Sequence, residues 1–342
     1  MPRGSGKEDR MSDHASPVWR AVRIGGVILT ALLLWGLVAH PEVALQALWN
    51  VVIPLVPASL LVSPLLWRNA CPLATLNLWS NGRLARTQQP RRFAAWSGAL
   101  GMVLLVALVP ARRFLFNANG PALAATIVMV ALLALALGAA FDMKAGFCNA
   151  LCPILPVERL YGQSPLLQVS NARCASCSLC SRACIDLAPE KAIAQHIGTS
   201  RRTISWLGSP FGVFAGAFPG FVFGYFTIED VSLAAADAVY FHVLGWAALG
   251  YLLTLATVSL LRLPYDRALM ALAALAAGLY YWLGAPGIAE GLGLAAGGNA
   301  LRFAALTLVL VWWWRAERRS FVGASAPRGG HCSGQRPAGK HA

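Results

Sequence analysis

Long apolar runs separated by short polar segments dominate the chain. A helix needs about 20 mainly apolar residues to cross the hydrocarbon core of a bilayer, and several runs approach that length. The pattern therefore predicts an all-α integral membrane protein with about eight transmembrane helices. The predicted spans are Trp19–Val38, Val43–Trp67, Phe93–Val109, Pro121–Phe141, Ile204–Phe226, Val239–Leu261, Ala268–Leu283 and Leu301–Trp314. The seventh run is short, and the glycine-rich stretch Gly284–Gly298 behind it is expected to dip back into the membrane or to lie at its surface.

The composition supports an integral membrane protein, and the distribution of charge predicts how the chain is oriented in the membrane. The chain has 57% hydrophobic and 12% charged residues, whereas soluble domains carry about 25% charged residues. A net charge of +14 would suit nucleic-acid binding, but only Arg112, Arg113 and Arg302 of the 28 Lys and Arg residues fall on the side opposite the termini. The positive-inside rule predicts a multi-pass protein of the bacterial inner membrane, with both termini and the segment between spans four and five in the cytoplasm. Nucleic-acid binding is not needed to explain the charge.

Six of the eight cysteines lie in one stretch, Phe147–Pro189. Four of them follow the spacing C-x2-C-x2-C-x3-C, which is typical of the bacterial ferredoxin loop that binds a [4Fe–4S] cluster. These four are Cys174, Cys177, Cys180 and Cys184. Zinc is the alternative, but structural zinc sites usually pair two short CxxC knuckles across a longer insert. The spacing favours iron and sulfur.

A second cysteine pattern occurs twice, once in a degenerate form. Cys148 and Cys152 form a C-x3-C pair directly before Pro153, after predicted span four. After predicted span two, Cys71 precedes Pro72, and Trp67 stands where the second copy has its first cysteine. All of these cysteines are predicted on the cytoplasmic side, where reducing conditions disfavour disulfides and favour metal ligation.

Two-helix units that end in C-x3-C-P and lead into a ferredoxin loop resemble the membrane-integral polyferredoxins of the NapH/NosR/CcoG type. The resemblance covers roughly residues 20–190 and implies [4Fe–4S] clusters, electron transfer and a redox partner in the membrane. Three features depart from that family: a single ferredoxin run, a first repeat that lacks one cysteine, and additional membrane spans from Ile204 onward. No flavin-attachment motif of the S/T-G-A-T kind is present.

The number of clusters stays open between one and two. In two-cluster ferredoxins the fourth cysteine of the run ligates the other cluster, so Cys184 would join ligands from the C-x3-C-P elements. Seven cysteines are then available for eight positions, with Asp186, His196 or Cys332 as candidates for the eighth. A single cluster on the ferredoxin run, with Cys152 as a possible fourth ligand, is the simpler alternative. Cys71 would then be a small buried apolar residue.

Two further features have weaker functional interpretations. His40 and His242, at the predicted outer ends of spans one and six, could ligate a b-type haem or contact a quinol, although a hydrogen-bonded anchoring role is favoured. Four glycines recur every four residues along span five and form one face suited to close helix packing. These are Gly212, Gly216, Gly220 and Gly224.

The sequence thus predicts an electron-transfer protein whose iron–sulfur segment lies between two four-helix halves. The predicted divisions are a disordered N-terminus 1–17, a first membrane half 18–141, a cytoplasmic iron–sulfur segment 142–203, a second membrane half 204–315 and a disordered basic tail 316–342. The electron donor is expected to be a soluble ferredoxin, a flavodoxin or a quinol, with a membrane subunit as acceptor. Positive charge at Arg159, Arg173 and Arg182 would raise the cluster potential or dock an acidic donor. The alternatives are a cluster-containing assembly or redox-sensing subunit and, third, a copper reductase.

Overall fold

The computed structural model describes residues 17–80, 91–141, 146–167, 204–294 and 297–322, and these residues form helices with no strand among them. Eight α-helices precede residue 168, three of them joined to short π-helical segments. The α-helices are α1 Pro17–Ala39, α2 Pro41–Ala47, α3 Ile53–Val62, α4 Pro64–Ala70, α5 Pro72–Trp79, α6 Arg91–Ala111, α7 Gly120–Ala140 and α8 Leu155–Tyr161. The π-helical segments are Leu48–Val52, Arg112–Phe116 and Phe147–Leu151.

Four long helices follow residue 203. They are α9 Pro210–Thr227, α10 Ala236–Leu261, α11 Tyr265–Gly291 and α12 Gly298–Val322, with 3₁₀ turns at Ile204–Gly208 and Leu233–Ala235. Helix α12 continues past residue 315, where the sequence predicted the second membrane half to end. The residues predicted to be a disordered tail beyond Val322 lie outside the described part of the chain, as do residues 1–16.

Local sequence explains where these helices begin. Several start on proline, whose fixed φ and missing N–H suit the first helical turn. Two helices also carry a side-chain cap: the Asn119 Oδ1 accepts a hydrogen bond from the Ala122 N–H at 2.9 Å, and the Ser209 Oγ accepts one from the Gly212 N–H at 3.0 Å. Such caps satisfy backbone donors that have no partner within the helix.

Seven stretches of the described chain are long and apolar enough to cross a membrane. They are Pro17–Ala39, Pro41–Val62, Trp96–Phe116, Gly120–Ala140, Pro210–Thr227, Leu233–Leu261 and Tyr265–Gly291. The multi-pass all-helical class is therefore confirmed, whereas the predicted eighth span, Leu301–Trp314, lies in helix α12, which is not among the seven. The predicted end of the seventh span at Leu283 was wrong, because α11 continues through Pro286 to Gly291 as one helix.

Helix α9 lies at the centre of the second half, between α10 and α11. The predicted glycine face packs within the chain: a Cβ at Gly216 would meet the Tyr251 ring at 3.0 Å, and one at Gly224 would meet the Val243 Cα at 3.1 Å. A Cβ at Gly220 would collide with the Trp246 carbonyl oxygen. These small residues let α9 and α10 approach closely, as expected for helix packing in a membrane. The predicted use of the glycine face for packing is confirmed.

Arg112 and Arg113, two of the three basic residues on the side opposite the termini, connect the first membrane half to the second. The Arg112 Nη1 donates to the Tyr225 Oη at 2.7 Å, and its guanidinium stacks 4.6 Å from the Trp49 ring centroid. Arg113 donates to the Tyr225 carbonyl oxygen at 3.0 Å and to the Asp230 carboxylate at 2.9 Å. We call this end of the bundle the opposite side and the other end, where α1 begins and α7 ends, the cysteine side.

Candidate metal centre

The first Cys-Pro element forms a helical hairpin that turns back into the bundle. Ser63, in extended conformation, breaks the helix before Pro64, and Cys71 separates α4 from α5. Near the middle of α1, a Cβ at Gly26 would lie only 2.8 Å from the Ala70 carbonyl oxygen. Leu73 of α5 and Val130, near the middle of α7, then pack against the same apolar cluster. The tip of this hairpin, with Cys71 at 8% exposure, is therefore enclosed by helices.

The second Cys-Pro element turns back in the same way. The π-helical segment Phe147–Leu151 packs on Ala134 of α7, and the Cys152 N–H closes it by donating to the Phe147 carbonyl oxygen at 3.0 Å. A Cβ at Gly101, halfway along α6, would lie 3.1 Å from the Cys152 carbonyl oxygen. The tip again reaches the level of the middle of the neighbouring long helices. The sequence placed these cysteines just beyond the ends of spans two and four, but both elements fold back alongside those spans.

The two tips have the same backbone conformation. Cys71 has φ −61° and ψ 121°, and Cys152 has φ −59° and ψ 122°. A residue before proline is driven out of the helical region into this extended region, so each Cys-Pro pair must end one helical segment and allow the next to start in a new direction. The weak sequence repeat thus corresponds to a repeated backbone geometry.

The thiols of Cys148 and Cys71 are near enough to Cys152 to act on it electrostatically. Burial raises the pKa of the Cys152 thiol, and the neighbouring thiols of Cys148 and Cys71 raise it further. Cys148 and Cys152 also pack against an apolar cluster that includes Phe147 and Leu151. A metal ion displaces the protons of such thiols on binding and relieves the repulsion between their thiolates. Among the described residues, however, no three or more His, Cys, Asp or Glu side chains are placed closely enough to hold a metal ion.

The remaining predicted ligands fall outside the described residues. These are the four cysteines of the ferredoxin run, Cys174, Cys177, Cys180 and Cys184, together with Asp186, His196 and Cys332. Arg173 and Arg182, predicted to place positive charge near the cluster, fall outside them as well. The predicted ferredoxin segment therefore stays a prediction. The three thiols of the hairpin tips are the part of the candidate centre that the structure describes.

A buried ion pair joins the two hairpins. The Arg68 guanidinium donates through Nε and Nη2 to both carboxylate oxygens of Glu158, with Nη2 at 3.1 Å from Oε2. Its Nη1 also donates to the Asn149 Oδ1 at 3.0 Å. Arg68 and Glu158 are each only 4% exposed. Because Arg68 lies three positions before Cys71 and Asn149 directly follows Cys148, this network fixes the two cysteine elements relative to each other.

The same region contains more buried positive than negative charge. Arg159 is 6% exposed, and its Nε has no hydrogen-bond partner among the described residues. Burial, with a further contribution from Arg68, lowers the pKa of the Arg159 guanidinium to about 10, so it stays charged at neutral pH. Two buried guanidiniums therefore face one carboxylate. A cluster ligated by thiolates is anionic and would compensate this excess, although the charged side chain that acts on the Cys152 thiol is the Glu158 carboxylate.

Sequence reasoning considered the charge of Arg159 but missed the roles of Arg68, Asn149 and Glu158. The available signal was their type and position, since all three are polar residues within five positions of a Cys-Pro pair in a chain with few charges. Buried charges in membrane proteins are rare and usually functional. Their pairing could not be predicted, because Arg68 and Glu158 are 90 positions apart.

The two histidines considered for haem have local partners. The His242 Nε2 lies 3.1 Å from the Thr227 Oγ1, and the His40 ring contacts the Trp35 ring edge-on at 5.7 Å between centroids. These contacts agree with the anchoring role that the sequence favoured.

No protein-family model, curated protein or solved structure matches this chain.

Proposed function

We propose that this protein is an iron–sulfur protein of the bacterial inner membrane that carries single electrons between a soluble or quinol donor at the cytoplasmic face and a redox partner in the membrane. The observation that carries the proposal is the C-x2-C-x2-C-x3-C run in a protein whose two Cys-Pro hairpins have the same backbone geometry at Cys71 and Cys152. The charge asymmetry of the loops supports a cytoplasmic position for the run.

The proposal includes two [4Fe–4S] clusters. One is held by Cys174, Cys177 and Cys180 of the run with a further ligand. The second is held by Cys71, Cys148 and Cys152 with Cys184, because the fourth cysteine of such a run commonly ligates the other cluster. The matching backbone geometry of the two Cys-Pro tips supports this grouping over one in which Cys152 serves the first cluster alone.

Counting iron and acid-labile sulfide per chain in anaerobically purified protein tests the proposal. We expect about eight iron atoms for two clusters and about four after Cys152→Ala, with a matching loss of one EPR signal on reduction. Ser232→Ala, at an exposed position before the 3₁₀ turn Leu233–Ala235, is the control and should leave the iron content unchanged. Zinc without iron would overturn the proposal, and an unchanged iron content in Cys152→Ala would refute the second cluster.

The second candidate function is that of an assembly or redox-sensing subunit. Measuring electron transfer distinguishes it from the first. Reduced protein should pass electrons to a quinone analogue in membranes, and Cys174→Ala should abolish this transfer. If a fully loaded protein transfers no electrons while Cys174→Ala dissociates a membrane complex, the assembly role replaces the electron-transfer role.

A further inference from the structure

An apolar groove of about 380 Å³ lies between α9, α10 and α11. Its walls include Phe223 of α9, Leu249 and Leu253 of α10, and Leu272 and Leu275 of α11. Several wall residues are well exposed, with Leu253 at 60% and Leu275 at 54%. The groove therefore opens to the surroundings of the bundle and is not an enclosed core cavity.

The groove arises because two consecutive helices diverge. Only Arg262–Pro264 joins α10 to α11, yet each of the two helices packs on α9 and they barely touch one another. The close approach of α9 to α10 occurs at Gly220 and Gly250, both of which line the groove. Because glycine has no side chain, nothing projects into the groove at this contact. The backbones of α9 and α10 therefore form the bottom of the groove where the two helices cross.

The groove has the depth of one membrane leaflet. Along α11 it extends from Ala268 to Leu279, which at 1.5 Å per residue is about 16 Å. That is close to half of the roughly 30 Å thickness of a hydrocarbon core. It begins at the turn between α10 and α11 on the cysteine side and ends at Phe223 of α9, Trp246 of α10 and Leu279 of α11. One extended acyl chain fits this length.

The mouth of the groove carries a cation without a protein partner. Leu263 lines the groove, and the preceding Arg262 is exposed and makes no hydrogen bond or ion pair with the residues that the structure describes. Arg262 ends α10 in the left-handed conformation, with φ 49° and ψ 41°, at a position where glycine is usual. Of the acidic residues on this side, Asp266 is half-buried and Glu317 lies 3.8 Å from Arg267.

We propose that this groove binds one acyl chain of an anionic phospholipid from the leaflet on the cysteine side, with the lipid phosphate on Arg262. The apolar groove matches the acyl chain of such a lipid in length, and the guanidinium at its mouth matches the anionic phosphate. An isoprenoid quinone would fill the slot but offers no charge for Arg262. This site is independent of the cysteine centre and of the proposed electron transfer.

Native mass spectrometry of the purified protein, incubated with equal amounts of phosphatidylglycerol and phosphatidylcholine of identical acyl chains, tests the proposal. We expect one phosphatidylglycerol per chain to be retained. Arg262→Gln should weaken retention roughly fivefold, the effect expected for one basic residue at a membrane surface. Ala271→Trp, which fills the slot from its exposed wall, should abolish binding. Arg20→Gln removes an exposed charge from the first turn of α1 on the same side and should leave binding unchanged.

Gel filtration and circular dichroism establish that each variant is folded before its lipid content is compared. Equal retention of the two lipids would overturn the proposal, since the charge at the mouth would then have no role. Retention of phosphatidylglycerol by folded Ala271→Trp would overturn it by placing the lipid elsewhere. A co-purifying quinone, or a partner protein with no lipid, would assign the groove to another occupant and overturn it as well.

Discussion

Replacing Glu158 by glutamine tests the buried charge network that joins the two cysteine hairpins. The carboxylate contacts Arg68 through both oxygens and also stabilises the charge of the buried Arg159. Removing one partner of a buried ion pair costs about 3–5 kcal/mol, because the remaining charge is left uncompensated. Here two guanidiniums lose the same carboxylate, so we expect the free energy of unfolding to fall by about 5 kcal/mol, the upper end of that range.

Arg68→Met should cost less than Glu158→Gln. After this change Glu158 keeps the attraction of Arg159, and the repulsion between the two guanidiniums disappears. We expect a loss of about 3 kcal/mol, and we expect the double variant to lose less than the sum of the two single changes because the residues are in direct contact.

Unfolding by a titration with sodium dodecyl sulfate, followed by circular dichroism, measures these differences. Glu317→Gln is the matched control, because its carboxylate lies 3.8 Å from Arg267 and the Arg267 side chain is 45% exposed. Exposed pairs contribute about 0–1 kcal/mol. Two results would refute the idea that two buried guanidiniums depend on one carboxylate. One is a fall in the free energy of unfolding below about 1 kcal/mol in Glu158→Gln, and the other is a larger fall in Arg68→Met than in Glu158→Gln.

Two further predictions concern helix packing and thiol chemistry. Gly220→Leu should prevent α9 from packing on α10 and abolish the folded monomer in gel filtration, because a Cβ there already meets the Trp246 carbonyl oxygen. Gly245→Leu, which points into open space, is the control, and equal behaviour of the two variants would contradict the packing. In cluster-free protein, alkylation of Cys152 followed by mass spectrometry should stay slow until the pH exceeds about 8.5, since its raised pKa keeps the unreactive thiol protonated. Half-maximal reactivity below that pH would show that the thiol is exposed or paired with a cation.

Hydrophobic runs predicted the architecture well because a membrane span is a local property of sequence. Pro41–Val62 and Gly120–Ala140 match the second and fourth predicted spans closely at their starts. The second run was extended too far, to Trp67, because apolar residues continue past the break at Ser63. Hydropathy alone cannot register a change of chain direction within an apolar run, so α4 was read as the end of a span.

The hairpins themselves were not predicted, although their tips were identified. Proline after cysteine indicated a break in the helix, but whether the chain then leaves the bundle or turns back depends on tertiary contacts. Here the deciding contacts are close backbone approaches at Gly26 and Gly101, neither of which adjoins a cysteine in sequence. A glycine in a membrane helix indicates a possible close approach, but it does not identify the partner.

Two [4Fe–4S] clusters would need eight ligands, whereas the sequence offers seven candidate cysteines. The position of the hairpin tips limits which residues could complete the set. If the proposed second cluster forms on Cys71, Cys148 and Cys152, its fourth ligand comes from outside the two hairpins, and the C-x2-C-x2-C-x3-C run is the segment that offers further cysteines. The chain leaves the described region at Leu167, whose N–H donates to the Val62 carbonyl oxygen at 2.8 Å. The 17 residues from 168 to 184 can span up to roughly 56 Å when fully extended, so the chain is long enough for Cys184 to reach the tips. If Cys184 closes that site, the two clusters share one short loop, and electrons that enter at the run have a direct route into the bundle.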